Sequence, residues 1–325
     1  MKILVTGSSG FIGGHLVRRL KKQGHYVVGA DIERPRYSDP SNTPDRFYRS
    51  DLRHGLSCVQ IFHESDGFDE VYNLACLMGG MGYIGDSKHS FDIMTGSSLI
   101  VANILQQCVN WKVKKLFYSS SACVYNMDKQ GQANSPALKE ADAYPAMPDL
   151  MYGWQKLSSE LMHQSAYEQH GLEVRVSRFH NIFGTEGVWS GGKEKAPAAI
   201  CRKVAMADDG DTIDIWGDGK QARSFLYIDE CLDGVERLMD SDHREPINIG
   251  SDEMITIDGL ANMVIDISGK NIKIKHDLTK PQGVRGRNSD NTKIEKVLGW
   301  KPILPLRFGM EELYFWINSQ INGNV

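Results

Sequence analysis

The chain opens Met1-Lys2-Ile3-Leu4-Val5-Thr6-Gly7-Ser8-Ser9-Gly10-Phe11-Ile12-Gly13, and this stretch decides the fold. Lys2 to Thr6 reads as a short buried strand: its apolar run is closed at once by glycines and lacks the cleavage site of a secretory signal. Beyond Gly13, the apolar residues Leu16, Val17 and Leu20 recur on one side of a helical pattern. Strand, glycine turn and helix in that order make a seat for a pyrophosphate. The glycines turn the chain sharply and let backbone approach the phosphates. The helix start offers free N–H groups, with Phe11 and Ile12 beside them. The spacing is G-x-x-G-x-x-G and not the commoner G-x-G-x-x-G, so on this stretch alone a plain strand-to-helix turn stays open.

The next strand, Tyr26 to Ala30, ends in Asp31, where a carboxylate meets the ribose hydroxyls of NAD and repels the extra phosphate of NADP. Arg34 and Arg36 follow closely and pull the other way; Asp31 favours NAD. Asp51-Leu52 follows a further short strand, and Val71 to Ala75 reads as a fourth. Both put loops along the cofactor edge, with Asp51, Leu52 and Ala75 as contacts. Strands alternating with helical stretches predict an α/β fold, a Rossmann-like doubly wound parallel sheet with a smaller C-terminal α/β substrate-binding domain. The sheet domain is expected over 1–178 plus about 225–250, and the nucleotide-sugar-binding domain over about 179–224 plus 251–325.

Composition narrows the function classes. With 325 residues, 41% apolar and 24% charged, the chain is an ordinary globular protein with ample core. No apolar run approaches the ~20 residues that span a bilayer, so no membrane partner is expected. The net charge of −4, with Lys and Arg dispersed, offers nucleic acid no footprint. Any anionic ligand is then held by a few local cations. Cys58, Cys76, Cys108, Cys123, Cys201 and Cys231 form no Cys-x-x-Cys pair and no zinc-spaced cluster, which predicts a reduced, cytoplasmic protein without a metal.

Leu116 to Ser119 reads as a strand whose end carries Ser120, Ser121, Ala122 and Cys123 to the carboxyl edge of the sheet, where α/β folds bind ligands. Tyr152 and Lys156, four apart, share a face of a helix beginning near Tyr152. Pro145 and Pro148 precede it, and the Leu157/Leu161 pair supports it. A tyrosine of ordinary pKa, about 10, needs roughly 4 kcal/mol of preferential stabilisation to act as a phenolate near neutrality. Lys156 is the available source, helped by the positive nicotinamide, with Ser121 hydrogen-bonded to the same hydroxyl.

On these residues the chain resembles the extended short-chain dehydrogenase/reductase family. The glycine turn, Asp31, Asn73-Leu74-Ala75, the serine-rich strand, and Tyr152 with Lys156 carry the resemblance across essentially the whole chain. Met78-Gly-Gly-Met-Gly82, Ser121-Ala-Cys123-Val-Tyr125, Arg178-Phe-His-Asn181, Gly191 to Ala199, Trp216-Gly-Asp-Gly219 and Gly283 to Asp290 are similar to those members that invert C3 and C5 of GDP-mannose. Lys193, where arginine is expected, and Cys76, where the general pattern has alanine, depart from it.

The resemblance implies tightly held NAD, used transiently to oxidise and then re-reduce C4 of a GDP-sugar, and a homodimer. It assigns Cys123 and Lys195 as the proton-exchanging pair. Cys123 lies one strand turn beyond Ser121, and its thiol, ordinarily near pKa about 8.5, must be pulled down by a nearby lysine or the nicotinamide charge. Ala122-Cys123 replaces the Asp-Glu pair of related dehydratases, which disfavours loss of water. Gly79, Gly80, Asn181, Lys203, Gln221, Arg223, Arg285 and Arg287 match the family's nucleotide-sugar pocket, with Arg285 and Arg287 both open as the diphosphate ligand. His180 is expected to pack or orient. A related GDP-sugar or GDP-heptose epimerase, C4 oxidoreductase or 4,6-dehydratase stays open, as does a non-catalytic dinucleotide-sensing module; the presence of Tyr152 and Lys156 argues against the last.

Overall fold

A computed structural model of the chain describes residues 1–37, 43–280 and 282–323. The opening apolar run is strand β1 (Lys2–Thr6), followed by β2 (Tyr26–Asp31), β3 (Arg46–Arg49), β4 (Glu70–Asn73), β5 (Lys115–Ser121) and β6 (Glu173–Phe179). The later strands are β7 (Ile182–Phe183), β8 (Thr212–Trp216), β9 (Ala222–Ser224), β10 (Leu226–Tyr227), β11 (Ile247–Ile249), β12 (Met254–Thr256), β13 (Lys273–Asp277) and β14 (Gly286–Arg287). The central sheet runs β11-β6-β5-β4-β1-β2-β3, with every pairing parallel. Three small sheets, β7 with β10, β12-β9-β14, and β8 with β13, come from the second half.

The helices are α1 (Phe11–Lys22), α2 (Gly55–Glu64), α3 (Met81–Ile84), α4 (Ser90–Asn110), α5 (Leu150–His170), α6 (Ala196–Met206), α7 (Ile228–Asp240), α8 (Ile257–Ser268), α9 (Thr292–Leu298) and α10 (Leu306–Asn322). The central strands are apolar on both sides because both sides are covered. Ile3 and Val5 join Leu16 and Val17 of α1 and Leu232 and Val235 of α7 in one core. Leu4 joins Phe62 of α2 and Val101 and Ile104 of α4 in the other. Strand order reverses about β1, with β2 on one side and β4 on the other. That reversal opens a crevice at the carboxyl ends, where ligands of such sheets bind.

One expectation needs correction. The fourth strand stops at Asn73, not Ala75, because the chain there leaves the sheet to lie against the glycine turn: a Cβ on Gly7 would stand 3.0 Å from Ala75 N. The helix expected from the Leu157/Leu161 pair is α5, in which Leu157 is buried and Leu161 is 49% exposed. The helix instead buries a polar set, Tyr152, Gln155, Lys156, Ser159, Glu160 and His163. Glu160 is partnered by Arg178 (2.7 Å), with both side chains buried, and the Ser120 hydroxyl donates to the same carboxylate. A face so costly to bury unless paired is one that serves a site.

Candidate active site

The cofactor edge follows from the glycines. Gly7 holds a positive φ of 70°, and a Cβ on Gly13 would overlap the Gly7 carbonyl oxygen, so α1 lies this close to β1 only without a side chain there. Gly10 caps α1 with no side-chain hydrogen bond, and the first turn carries no acid. The first N–H groups of α1, with Phe11 and Ile12 partly buried beside them, are therefore open to an anion. Asp31 accepts from the backbone N–H of Ser9 (3.0 Å) and of Glu33 (3.2 Å). Burial raises its pKa while those hydrogen bonds oppose the rise. Arg34 is exposed, and Arg36 sits 4.0 Å from Glu33. Asp51 is held by Arg53 (2.6 Å), whose hydrogen bond lowers its pKa; Leu52 is buried behind it. Ala75 N–H donates to Thr6 Oγ1 (3.2 Å). A glycine cradle, an open helix start and a fixed carboxylate at the end of β2 fit the pyrophosphate and ribose of NAD.

Tyr152 and Lys156 are both buried on one face of α5, with Nζ 5.7 Å from the tyrosine ring centre. Lys156 Nζ donates to Ser119 O (2.7 Å) and lies 4.8 Å from the Tyr118 ring centre. Ser121 departs from expectation: its hydroxyl accepts the Cys123 N–H (3.2 Å), and among the described residues no hydrogen bond joins it to Tyr152. The Tyr152 phenol is also not pulled down in the protein alone. Burial raises its pKa and outweighs the lowering field of Lys156.

Cys123 sits in a one-turn 3-10 helix, Ala122–Val124, rather than in the strand, because Ser121 caps that turn. It clusters with Ile93 and Tyr152, and Leu77, Tyr83 and Ile84 pack around them. The cation beside the thiol is an arginine: Arg287 Nη1 donates to Sγ (3.2 Å). Its other donors are engaged as well, Nε with Gln130 Oε1 (2.6 Å) and Nη2 with Asp149 Oδ2 (2.6 Å). The thiol pKa is nonetheless raised, first by burial and then by Asp149, with Arg287 opposing. The lowering anticipated from sequence is outweighed because a buried thiolate loses its water.

Lys195 precedes α6 and is half-buried. Burial lowers its pKa, and Cys123 opposes the change. Gly79 and Gly80 are buried, and Gly80 N–H donates to Lys193 O (2.9 Å). Asn181 adopts a positive φ of 47° and donates to Ser224 O (2.9 Å), a strained conformation of the kind that clusters at sites. Lys203 Nζ donates to Asp214 O (2.5 Å). Gln221 donates to Trp216 O (3.0 Å), and its buried Oε1 has no partner among the described residues. Arg285 pairs with Asp218 (2.9 Å).

Arg223 differs from these. It donates to the carbonyls of Ala222 (2.7 Å) and Val284, and burial and neighbouring Arg287 lower its pKa to about 9. Half-buried, and with no ion pair to a carboxylate among the described residues, it is poised for an anion. His180 is a neutral packing residue: it is buried, its pKa is pushed down to about 3 by burial, and Nε2 meets Asn248 Oδ1 (2.9 Å).

A model of the NAD dependent epimerase/dehydratase family matches residues 3–250. The chain belongs to this family. It is 45% identical over 321 residues to GDP-mannose 3,5-epimerase of Arabidopsis thaliana, covering 99% of this chain and 83% of that one. GDP-mannose 3,5-epimerase 1 of Oryza sativa subsp. japonica is also 45% identical, over 99% and 82%. Among solved structures, UDP-glucuronic acid 4-epimerase of Bacillus cereus, in complex with UDP-glucuronic acid and NAD, matches with a TM-score of 0.81 at 26% identity, covering 98% of this chain and 100% of that one. UDP-glucose 4-epimerase of Thermotoga maritima matches at 0.85 and 23% identity over 99% and 100%, a likeness of fold.

Sequence reading missed several residues of this epimerase/dehydratase site. Gly153 follows the catalytic-type tyrosine, and a Cβ there would overlap the Cys123 carbonyl oxygen; without a side chain, α5 and the Cys123 turn can touch. Gln130 and Asp149 hold Arg287 in place from segments 157 and 138 residues away. Gly153 was legible as a small residue inside a helix, but the other two carry no local pattern.

Proposed function

We propose that the protein inverts C3 and C5 of GDP-mannose, giving GDP-L-galactose, with GDP-L-gulose when C5 alone inverts. The observation that carries this is a thiol, Cys123, packed in one cluster with Tyr152: a proton-exchanging group beside a hydride-transfer group. Similarity over 99% of this chain to enzymes named for this reaction supports the choice of sugar nucleotide.

Bound NAD supplies the acceptor of the C4 hydride and later its donor. Tyr152 takes the C4 hydroxyl proton and returns it, with Lys156 holding the phenolate by charge and Ser121 orienting the hydroxyl once substrate is present. The C4 ketone makes the hydrogens on C5 and C3 acidic. Cys123 removes the proton on one face, and Lys195 delivers one on the other, since return from the original face would restore the starting centre. Arg223 and Arg285 hold the diphosphate, with Gln221, Asn181, Lys203 and the Gly79-Gly80 backbone completing the pocket. Arg287 is assigned to the thiol. Incubation of the NAD-loaded protein with GDP-mannose, followed by NMR of the sugar, tests this: inverted hexose without accumulating NADH is expected, and NADH rising with consumed sugar contradicts it.

The pH dependence follows from two opposed shifts. Burial pushes the Cys123 thiol up and the Lys195 ammonium down. Raising the pH creates thiolate but removes ammonium, so exchange climbs through neutrality and falls before lysine's ordinary range. Rates of solvent exchange against pH check this, and Lys195→Met, which has no proton to deliver, should abolish inversion.

A homodimer is part of the same proposal. Phe91 and Leu99 on α4 and Trp154 and Leu161 on α5 are 74%, 49%, 41% and 49% exposed, an apolar surface suited to a second copy. A reduced, cytoplasmic setting accords with the six free cysteines, and among the described residues no helix is long and apolar enough to cross a membrane. The division of the chain at about residues 178, 225 and 250 accords with the return of β11 to the sheet.

A further inference from the structure

We infer that Tyr83 and Lys193 form a latch that holds two loops together over the site and so sets the position of Lys195 relative to Cys123. The inference rests on the reading of Cys123 and Lys195 as a proton-exchanging pair.

The first loop, Gly79 to Ile84, leaves the sheet after β4 and ends in α3. The second, Gly191 to Lys195, leads into α6. Their backbones meet directly. Gly80 N–H donates to Lys193 O (2.9 Å), and a Cβ on Gly80 would overlap the Glu194 carbonyl oxygen. Gly80 must therefore be glycine for the peptide just before Lys195 to lie where it does. One side-chain contact spans the same junction: Lys193 Nζ stands 4.7 Å from the Tyr83 ring centre. Tyr83 is itself stacked on His89, with centroids 4.2 Å apart and planes at 23°. It also packs against the cluster of Ile93, Cys123 and Tyr152. The ring thus touches both the thiol's own cluster and the lysine loop.

Among the described residues, few other bonds hold the second loop. Gly191 and Gly192 both take positive φ (92° and 88°), and a Cβ on either would meet nothing within 4 Å. Glu194 braces it from behind, accepting from Gly192 N–H (2.6 Å) and from Arg202 (3.1 Å). Among the described residues, the Gly80 hydrogen bond and the cation–π contact tie it to the first loop. Lys193 is exposed and contributes no proton chemistry in the proposed reaction. Its place over an aromatic face is that of a clamp, and either cation, Lys or Arg, can fill it.

The tests are Lys193→Met, which keeps the chain length and removes the charge at an exposed site, and Tyr83→Leu, with Lys193→Arg as the conservative control. Amide hydrogen exchange, read without substrate, should show loss of protection at Gly80 in the first two variants and not in the third. On the NAD-loaded protein, deuterium exchange at C3 and C5 of GDP-mannose should fall on the order of fivefold, the weight of one cation–π contact. The falling limb of its pH profile should move up as Lys195 regains water; the groups facing that ammonium are Cys123, Cys76 and Cys231. Lys193→Arg should restore both.

Unaltered Gly80 protection in Lys193→Met overturns the latch whatever the substrate. Lost protection with wild-type exchange rate and pH profile overturns its positioning of Lys195. Absence of exchange in the wild-type protein is a separate failure, that of the proposed reaction.

Discussion

Cys123→Ser lowers deuterium exchange at C3 and C5 by roughly 10²–10⁴-fold, the range of one positioned proton-transfer group. Serine preserves the shape of the turn: the cap from Ser121 uses the backbone N–H of residue 123, not its side chain. The cofactor edge at Gly7, Gly13 and Asp31 is made of other elements, so NAD binds as before. What changes is the base, because an alkoxide is far harder to form than a thiolate in the same buried cluster. C4 oxidation continues and is read by trapping the 4-keto sugar with borohydride, while NMR in deuterated water follows exchange. Wild-type exchange in this variant would remove Cys123 from the reaction.

Arg287→Met should cost about 3–5 kcal/mol of stability, because it strands the Asp149 carboxylate, 7% exposed, that the guanidinium meets at 2.6 Å. It should also slow proton exchange, since the thiol keeps the raising influence of Asp149 and loses the only cation bonded to it among the described residues. Arg287→Met with Asp149→Asn should recover much of the stability, the two residues being in contact and not additive. Arg285→Met removes a more exposed pair with Asp218 and should cost about 1 kcal/mol or less. Denaturant melting gives the stabilities, and titration with GDP separates the roles. If Arg287→Met melts normally but loses GDP, Arg287 is a phosphate ligand and not the partner of the thiol.

The cofactor half was legible because its chemistry is written locally. Gly7, Gly10 and Gly13 lie within one turn, Asp31 ends its own strand, and Tyr152 and Lys156 share a helix face by their spacing. The thiol's partner was not legible. Arg287 lies 164 residues from Cys123 and sits in a segment that reads equally as a phosphate loop, so only the packing of β14 against the Cys123 turn separates it from Arg285. The direction of the Cys123 shift was misjudged for a related reason: sequence shows which charges are near, but burial decides their weight. The Leu157/Leu161 spacing showed the helix but not which face is covered: Leu157 is buried and Leu161 is 49% exposed.

Incubating the wild-type, NAD-loaded protein with GDP-mannose in deuterated water tests the central claim most directly. The account predicts deuterium at C5 and at C3 of the recovered sugars, none at C4, and no net reduction of NAD. GDP-mannose that binds and is recovered with hydrogen intact at both C3 and C5 would contradict it.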